Sequence, residues 1–125
     1  MLWGAPTASQ VDIVAVNTVT LQEAFQFGLS TDTWTFTGQN FKMEVKASAS
    51  DAAALTTFST GAGTIVVDDA INRILHLNVP EATLLASLPV GQYVYDLVMY
   101  DGGSPAVRVL LLQGNLYVVQ GVTES

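Results

Sequence analysis

The sequence predicts an all-β fold, a single antiparallel β-sandwich with one short helix. Three observations carry this prediction: apolar residues recur at period two in several segments, turn residues separate those segments at regular intervals, and only one segment has helical character. The clearest alternation is in residues 41–47, where Phe41, Met43 and Val45 share one face and Lys42 and Glu44 the other. One-sided alternation of this kind is typical of an antiparallel sheet with one solvated face.

The remaining strands are predicted from β-branched and aromatic residues between turn signals. Gly114 and Asn115 are interpreted as a chain reversal between the last two strands. Residues 30–40 are predicted to form a polar loop, and glycines at positions 61 and 63 are predicted to turn the chain. The predicted strands other than 41–47 cover residues 11–20, 21–29, 55–59, 64–68, 71–79, 92–100, 107–113 and 116–122.

The short helix is predicted over residues 80–87. Pro80 suits the first helical position, and Glu81 suits the positive helix N-terminus. Leu84, Leu85 and Leu88 form a short apolar stripe. A helix of this length needs tertiary contacts, so we expect it to pack on the edge of the sandwich.

The composition predicts one domain that is partly covered by other protein. The chain has 125 residues and no cysteine; half of its residues are hydrophobic and 12% are charged, against about 25% in typical domains. Residues 1–10 are predicted to be an N-terminal arm and residues 11–125 the sandwich. So few charges favour a homo-oligomer within a larger assembly.

The charge balance argues against nucleic acid and the apolar pattern against a membrane. The net charge is −7, and the only cations are Lys42, Lys46, Arg73 and Arg108. Binding to phosphates needs clustered lysine and arginine, which this set does not supply. The longest apolar stretch, residues 107–119, is interrupted and too short for a membrane span. The first six residues lack the features of a secretory signal.

No pattern in the sequence predicts catalysis, so the protein is not expected to be an enzyme or to hold a metal or other cofactor. His76 is the only histidine, and alternation places it on the outer face of its strand. No serine elbow is recognisable that could pair with it as a nucleophile. Asp68 and Asp69 lack the spacing of a calcium loop, and a turn is the more ordinary role for them.

The stretch around Pro89 predicts the corner of the fold. Pro89 and Gly91 favour a turn, and Tyr93 and Tyr95 then alternate into a strand that faces the core. This pattern resembles the corner that opens a central strand in immunoglobulin-like sandwiches, where a tyrosine hydroxyl bonds to nearby backbone. The resemblance implies an immunoglobulin-like sandwich.

Three segments are candidate interfaces. Leu2 and Trp3 lie on the arm, which we expect to dock on a neighbouring subunit. Trp34 and Phe36 are expected to fold over one end of the sandwich. The strand with Leu110 and Leu112 is apolar on both faces, which favours burial of one face against another chain. The predicted interface residues are therefore Leu2, Trp3, Trp34, Phe36, Leu110 and Leu112.

From residue 41 to residue 123 the chain resembles small β-sandwich virion proteins of tailed bacteriophages and the N-terminal sandwich domains of baseplate or tail-fibre attachment proteins. The resemblance lies in "NFKMEVKAS", "GTIVVDDAINRILHLNVP", "LLASLPVGQYVYDL" and "VRVLLLQGNLYVVQGVT". It implies a virion location, with other virion proteins and copies of this chain as partners. Receptor-binding members continue beyond the sandwich, so we expect an adaptor or decorating protein of the tail, baseplate or neck.

Two alternative functions stay open at this point. One is a carbohydrate- or host-surface-binding module, for which Trp34 and Phe36 would supply an aromatic platform. The other is a regulatory phage protein that acts inside the cell and is absent from the particle. Mass spectrometry of purified particles separates the structural function from the intracellular one.

Overall fold

The computed structural model describes residues 9–27, 35–48, 50–100 and 108–121. Within these residues the chain forms nine strands and one helix, in two sheets, which confirms an all-β, sandwich-like fold with one short helix. The elements in chain order are β1 (Ser9–Gln10), β2 (Ile13–Val16), β3 (Leu21–Gln26), β4 (Asn40–Lys46), β5 (Thr56–Ser59), β6 (Ile65–Asp69), β7 (Ile74–Val79), α1 (Glu81–Ser87), β8 (Gly91–Tyr100) and β9 (Arg108–Val119).

The larger sheet has the strand order β1-β9-β8-β4-β5, with β2 also paired to β9, and the smaller sheet has the order β3-β7-β6. The prediction of a purely antiparallel sandwich is wrong in one respect, because β1 and β2 both pair with β9 in parallel. The turn at residues 17–20 leads from β2 into β3, which belongs to the other sheet. Instead of its sequence neighbour, β2 therefore pairs with the last strand.

Inward-facing residues of both sheets form one hydrophobic core. The alternation predicted for residues 41–47 is present in β4, where Phe41, Met43 and Val45 are buried. A chain of aromatic contacts runs through this core, with the ring centroids of Phe36 and Phe41 4.6 Å apart and those of Phe27 and Phe36 5.8 Å apart. These contacts tie residues near the end of β3 to the start of β4.

The predicted reversal at Gly114 and Asn115 is wrong, because β9 continues through both residues as one strand of 12 residues. The carbonyl of Val11, between β1 and β2, lies directly over Gly114. A Cβ atom on Gly114 would be 2.1 Å from the Val11 oxygen. Glycine is therefore needed at this position for a close approach of two strands and not for a turn.

A bulge in β9 corrects the interpretation of its two apolar faces. Leu97 pairs with Leu112 while Val98 pairs with Leu110, so Leu111 is an extra residue on the bulged strand. As a result Leu111 and Leu112 are adjacent in sequence and both face the core, at 1% and 3% exposure. This chain therefore buries most of that apolar stretch by itself.

The helix and the corner lie at the start of β8. The helix begins at Glu81, one residue later than predicted, with Pro80 at its N-cap. Of the predicted stripe, Leu84 and Leu88 are buried, whereas Leu85 is exposed. The hydroxyl of Tyr93 donates a hydrogen bond to the carbonyl of Pro89, four residues earlier.

Candidate functional site

The outer face of the larger sheet carries an open groove of about 280 Å³ that spans four adjacent strands, β1, β9, β8 and β4. Val94, Tyr95 and Gly114 are among the residues that line it. The polar groups that line the groove are Gln10, Glu44, Lys46, Asp96, Gln113 and Asn115.

Four of these side chains form a single row across the sheet, which we call the polar row: Gln10, Gln113, Asp96 and Glu44. Gln10 pairs with Gln113, Gln113 with Asp96, and Asp96 with Glu44. Directly paired residues of neighbouring strands point to the same face. The register of three strand pairs therefore brings together residues that are up to 103 positions apart in sequence.

The polar row has free hydrogen-bonding capacity. None of its four side chains makes a hydrogen bond or ion pair with any described residue. Asn115, one row away, differs because its amide donates to the carboxylate of Asp12 and its oxygen accepts from Gln92. The groove thus presents two carboxylates and two amides whose polar atoms are available to a partner.

The carboxyl of Asp96, in the polar row, has a raised pKa. Its partial burial raises the pKa of its carboxyl above the ordinary value, and the Glu44 carboxylate raises it further. Lys46 and Lys42 act in the opposite direction but do not cancel these effects. Like charges directly opposite each other on neighbouring strands are destabilising. The ionised form of Asp96 is therefore unfavourable in the folded chain, and a hydrogen-bond donor from a partner would stabilise it.

Apolar side chains flank the groove on the same face. At one end lie Val14, which is 57% exposed, and Val119; they pair with Tyr117 and Val16 respectively. At the other end lies Leu110, which is 36% exposed. The face therefore has a polar centre with apolar margins, whereas protein interfaces commonly have an apolar centre and a polar rim.

The predicted interface residues fall into three groups: core residues, one surface residue, and residues outside the described part of the chain. Phe36, at 2% exposure, and Leu112 belong to the core of this chain, so their side chains do not lie on its described surface. Leu110 remains on the surface. Leu2, Trp3 and Trp34 lie outside the described residues. With Phe36 in the core, half of the aromatic platform that favoured carbohydrate binding is absent from the surface.

Residues 9 and 10 of the predicted arm form β1 and pair with Leu112 and Gln113 of β9. The sheet therefore begins two residues before the predicted boundary of the sandwich. Of the two arm residues that the structure describes, Gln10 lines the groove.

His76 and Asp69 have ordinary structural partners. The Nδ1 atom of His76 lies 2.8 Å from a carboxylate oxygen of Asp68 on the outer face of the smaller sheet. The Asp69 carboxylate accepts hydrogen bonds from Asn72, by side chain and backbone, and from the Ile71 N–H; these bonds lower the pKa of Asp69. Nowhere in the described part of the chain do three metal-ligating side chains cluster.

Arg73 is a buried residue that the sequence did not single out. It has a positive φ of 61° and is 2% exposed. Its Nε donates to the carbonyl of Phe27 at 2.7 Å, and its terminal nitrogen donates to the carbonyl of Ile71. This side chain ties the β6–β7 turn to the end of β3. No local pattern indicated the burial, since the partner at Phe27 is 46 residues away.

No family model matches the sequence, and no curated protein matches it. The described residues contain no helix that is long and apolar enough to cross a membrane.

Proposed function

We propose that this protein is a structural subunit of a tailed-phage virion, an adaptor or decorating protein of the tail, baseplate or neck region. It acts by protein–protein assembly and has no catalytic activity. The observation that carries the proposal is the outer face of the larger sheet, where the polar row has no partner within the described chain and apolar side chains lie at both margins. The exposed apolar margins favour contact with another protein, and the unpaired polar row would supply hydrogen bonds to it.

The partner that suits the groove is a basic segment of a neighbouring virion protein. The chain carries 11 acidic residues against four cations, so a basic surface is attracted to it over a distance. Glu44 and Asp96 lie side by side on neighbouring strands. A planar guanidinium can donate to two adjacent carboxylates at once, and the amides of Gln10 and Gln113 extend the row of polar contacts.

We further propose that the sandwich is immunoglobulin-like. In variable-type immunoglobulin domains one sheet has the order G-F-C-C′ and the other the order B-E-D. The orders β9-β8-β4-β5 and β3-β7-β6 correspond to these if β3 is equated with B and β9 with G. The hydrogen bond from Tyr93 to Pro89 at the start of β8 supports the same assignment, since it lies at the E–F corner.

Mass spectrometry of purified particles tests the virion assignment. The protein is expected among the structural proteins of the phage that encodes it, in a fixed stoichiometric ratio to the other tail components. Its absence from purified particles, combined with its presence in infected cells, would overturn the proposal in favour of an intracellular regulatory protein.

A second experiment tests the surface. Phages that carry the double substitution Glu44→Gln and Asp96→Asn should incorporate the subunit poorly, because the guanidinium partner loses both carboxylates. The isolated variant should remain folded, since neither carboxylate makes a hydrogen bond or ion pair in the described structure. Wild-type incorporation of this variant would show that the groove is not the assembly surface.

A further inference from the structure

Among the residues that the structure describes, no strand pairs with the outer edge of β3 in the smaller sheet. β3 ends the strand order and pairs only with β7 among the described elements. The opposite edge strand, β6, has an irregular register near its end, and β5, at the edge of the larger sheet, has only four residues. β3 has six residues with regular register and contains neither proline nor lysine. Natural proteins block such edges with bulges, short strands, proline, lysine and inward-pointing charges; of these devices β3 has the last, the core-facing Glu23.

The hydrogen-bond phase shows which residues of β3 face outwards along the sheet. The N–H of Phe27 donates to the carbonyl of Arg73 at 3.0 Å, so this pair is hydrogen-bonded. In an antiparallel ladder such pairs alternate, and the backbone groups of Phe25 and Glu23 therefore also point to β7. Asn78 pairs with Gln22 but donates its N–H to Thr64, on the side away from β3. The Gln22–Asn78 pair is therefore not hydrogen-bonded, in agreement with this alternation.

The backbone N–H and C=O groups of Gln22, Ala24 and Gln26 consequently point away from β7, to the side where the described structure has no further strand. All three residues are exposed. The edge thus offers three donors and three acceptors in the spacing that another antiparallel strand would need.

We propose that β3 pairs with β3 of a second copy of this chain, antiparallel, about a two-fold axis that passes beside Ala24. In this register Ala24 faces Ala24 of the second copy, and Gln22 faces Gln26. All three outward-facing residues of each copy are then hydrogen-bonded, which gives six backbone bonds. The two three-stranded sheets join into one continuous sheet of six strands.

The side chains of β3 select this register. Glu23 lies on the core-facing side, since it pairs with the buried Leu77, and it is itself exposed. An inward charge at an edge discourages partners that would bury it or oppose it with a like charge. In the register centred on Ala24 each Glu23 faces Phe25 of the second copy. A shift of the axis by one residue to Glu23 would place the two carboxylates opposite each other and would leave only four backbone bonds.

The inference deepens the proposed function, and rests on it in one respect: a contact of this size is weak between free subunits and matters where a particle holds many copies close together. The pairing itself can be measured in concentrated solution without particles, so its failure would leave the virion assignment untouched.

Cysteine cross-linking tests the register, because the chain contains no cysteine of its own. Ala24→Cys should form a disulfide-linked dimer under mild oxidation, since Cα atoms of a hydrogen-bonded antiparallel pair lie about 5.5 Å apart, within disulfide range. The matched control Thr57→Cys, exposed on β5, should give several times less dimer. Gln22→Cys should also stay near background, while the double variant Gln22→Cys with Gln26→Cys should cross-link again. Equal dimer yields from Ala24→Cys and Thr57→Cys, or efficient cross-linking by Gln22→Cys alone, would overturn the proposal.

A proline substitution provides an independent test. The N–H of Ala24 is not used by β7, and proline is tolerated on an edge strand whose N–H faces solvent. Ala24→Pro should therefore keep the far-ultraviolet circular dichroism of the wild type and lose self-association in sedimentation velocity. Unchanged self-association would contradict the proposal. The proposal would also be contradicted if self-association appeared only after deletion of residues 1–8. Such a result would mean that these residues block the β3 edge in the intact chain.

Discussion

The hydroxyl of Tyr95 donates a hydrogen bond to the main-chain oxygen of Val11 at 2.6 Å, and so joins β8 to the segment between β1 and β2. Tyr95 pairs with Gly114 on β9, over which the same Val11 oxygen passes. The absence of a side chain at Gly114 makes room for the carbonyl, and the tyrosine satisfies it. Three distant parts of the chain therefore depend on one close approach beneath the candidate groove.

Gly114→Ala should destabilise the fold. The new Cβ would lie 2.1 Å from the Val11 oxygen, and relief of such an overlap in packed structure typically costs about 1–3 kcal/mol. Urea denaturation of the purified variant measures the change. The matched control is Gly61→Ala, whose Cβ would approach nothing closer than 3.9 Å. Equal stability of the two variants would show that Val11, between β1 and β2, does not lie over Gly114 in solution.

Tyr95→Phe should lower the free energy of unfolding and alter its dependence on pH. Loss of the hydroxyl leaves the Val11 carbonyl without its donor; because this group is only partly buried, the cost should lie towards the lower end of the range of about 1–3 kcal/mol typical of buried groups. Burial, followed by the nearby charges of Asp12 and Glu23, raises the pKa of Tyr95 to about 12.

The sign of the pH effect follows from proton binding. A tyrosine in the unfolded chain titrates near pH 10, so between pH 10 and 12 the unfolded state has released a proton that the folded state retains. Wild-type stability should therefore fall as the pH rises through this window. Urea midpoints at pH 8, 10 and 11 should show a smaller decline for Tyr95→Phe than for the wild type. The control Tyr117→Phe, on the outer face, should keep the wild-type decline.

Local periodicity was sufficient to predict several strands but not the contacts between them. β4 was predicted to within one residue because its alternating side chains directly record one buried and one exposed face. The Gly-Asn pair at 114–115 is typical of a turn. In the structure, however, position 114 needs glycine because Val11, from the other end of the chain, passes close to it. Likewise, the burial of Arg73 depends on its hydrogen bond to Phe27. The residues next to Arg73 in sequence do not indicate this burial.

The candidate groove was beyond prediction for the same reason. Gln10, Glu44, Asp96 and Gln113 lie on four segments, and none of these segments carries a recognisable motif. They meet because the register of three strand pairs aligns them. A shift of one residue in any pair would turn a side chain to the other face of the sheet.

The two leucines at the bulge of β9 should respond differently to a charge. Leu112→Asp places a carboxylate in the core, where Leu112 is 3% exposed, and should prevent folding. Leu110→Asp changes a surface residue and should alter stability by no more than about 0.5 kcal/mol, yet reduce incorporation into particles if this margin of the face contacts a partner. Thermal unfolding and quantitative mass spectrometry of particles measure the two effects. A folded Leu112→Asp variant would contradict the burial of Leu112 in the core.

Asp96→Asn should stabilise the isolated protein while it weakens assembly. Burial and the Glu44 carboxylate raise the pKa of Asp96, so the folded state binds this proton more tightly than the unfolded state, and the charged form is unfavourable at neutral pH. An amide removes that cost. The gain should be present at pH 7 and should diminish as the pH falls through the raised pKa of Asp96 towards about 3.9, the ordinary value for aspartate.

Incorporation of Asp96→Asn into particles should fall, because the partner's basic group loses one of its two carboxylates. A gain in stability together with a loss of assembly is the signature of a residue kept for binding and not for folding. The control is Asp51→Asn, an exposed turn residue whose side-chain oxygen can still accept the Ser48 N–H; neither its stability nor its incorporation should change. If Asp96→Asn is more stable and still incorporates at the wild-type level, the unfavourable charge has no role in assembly, and the basic partner must be sought on another surface.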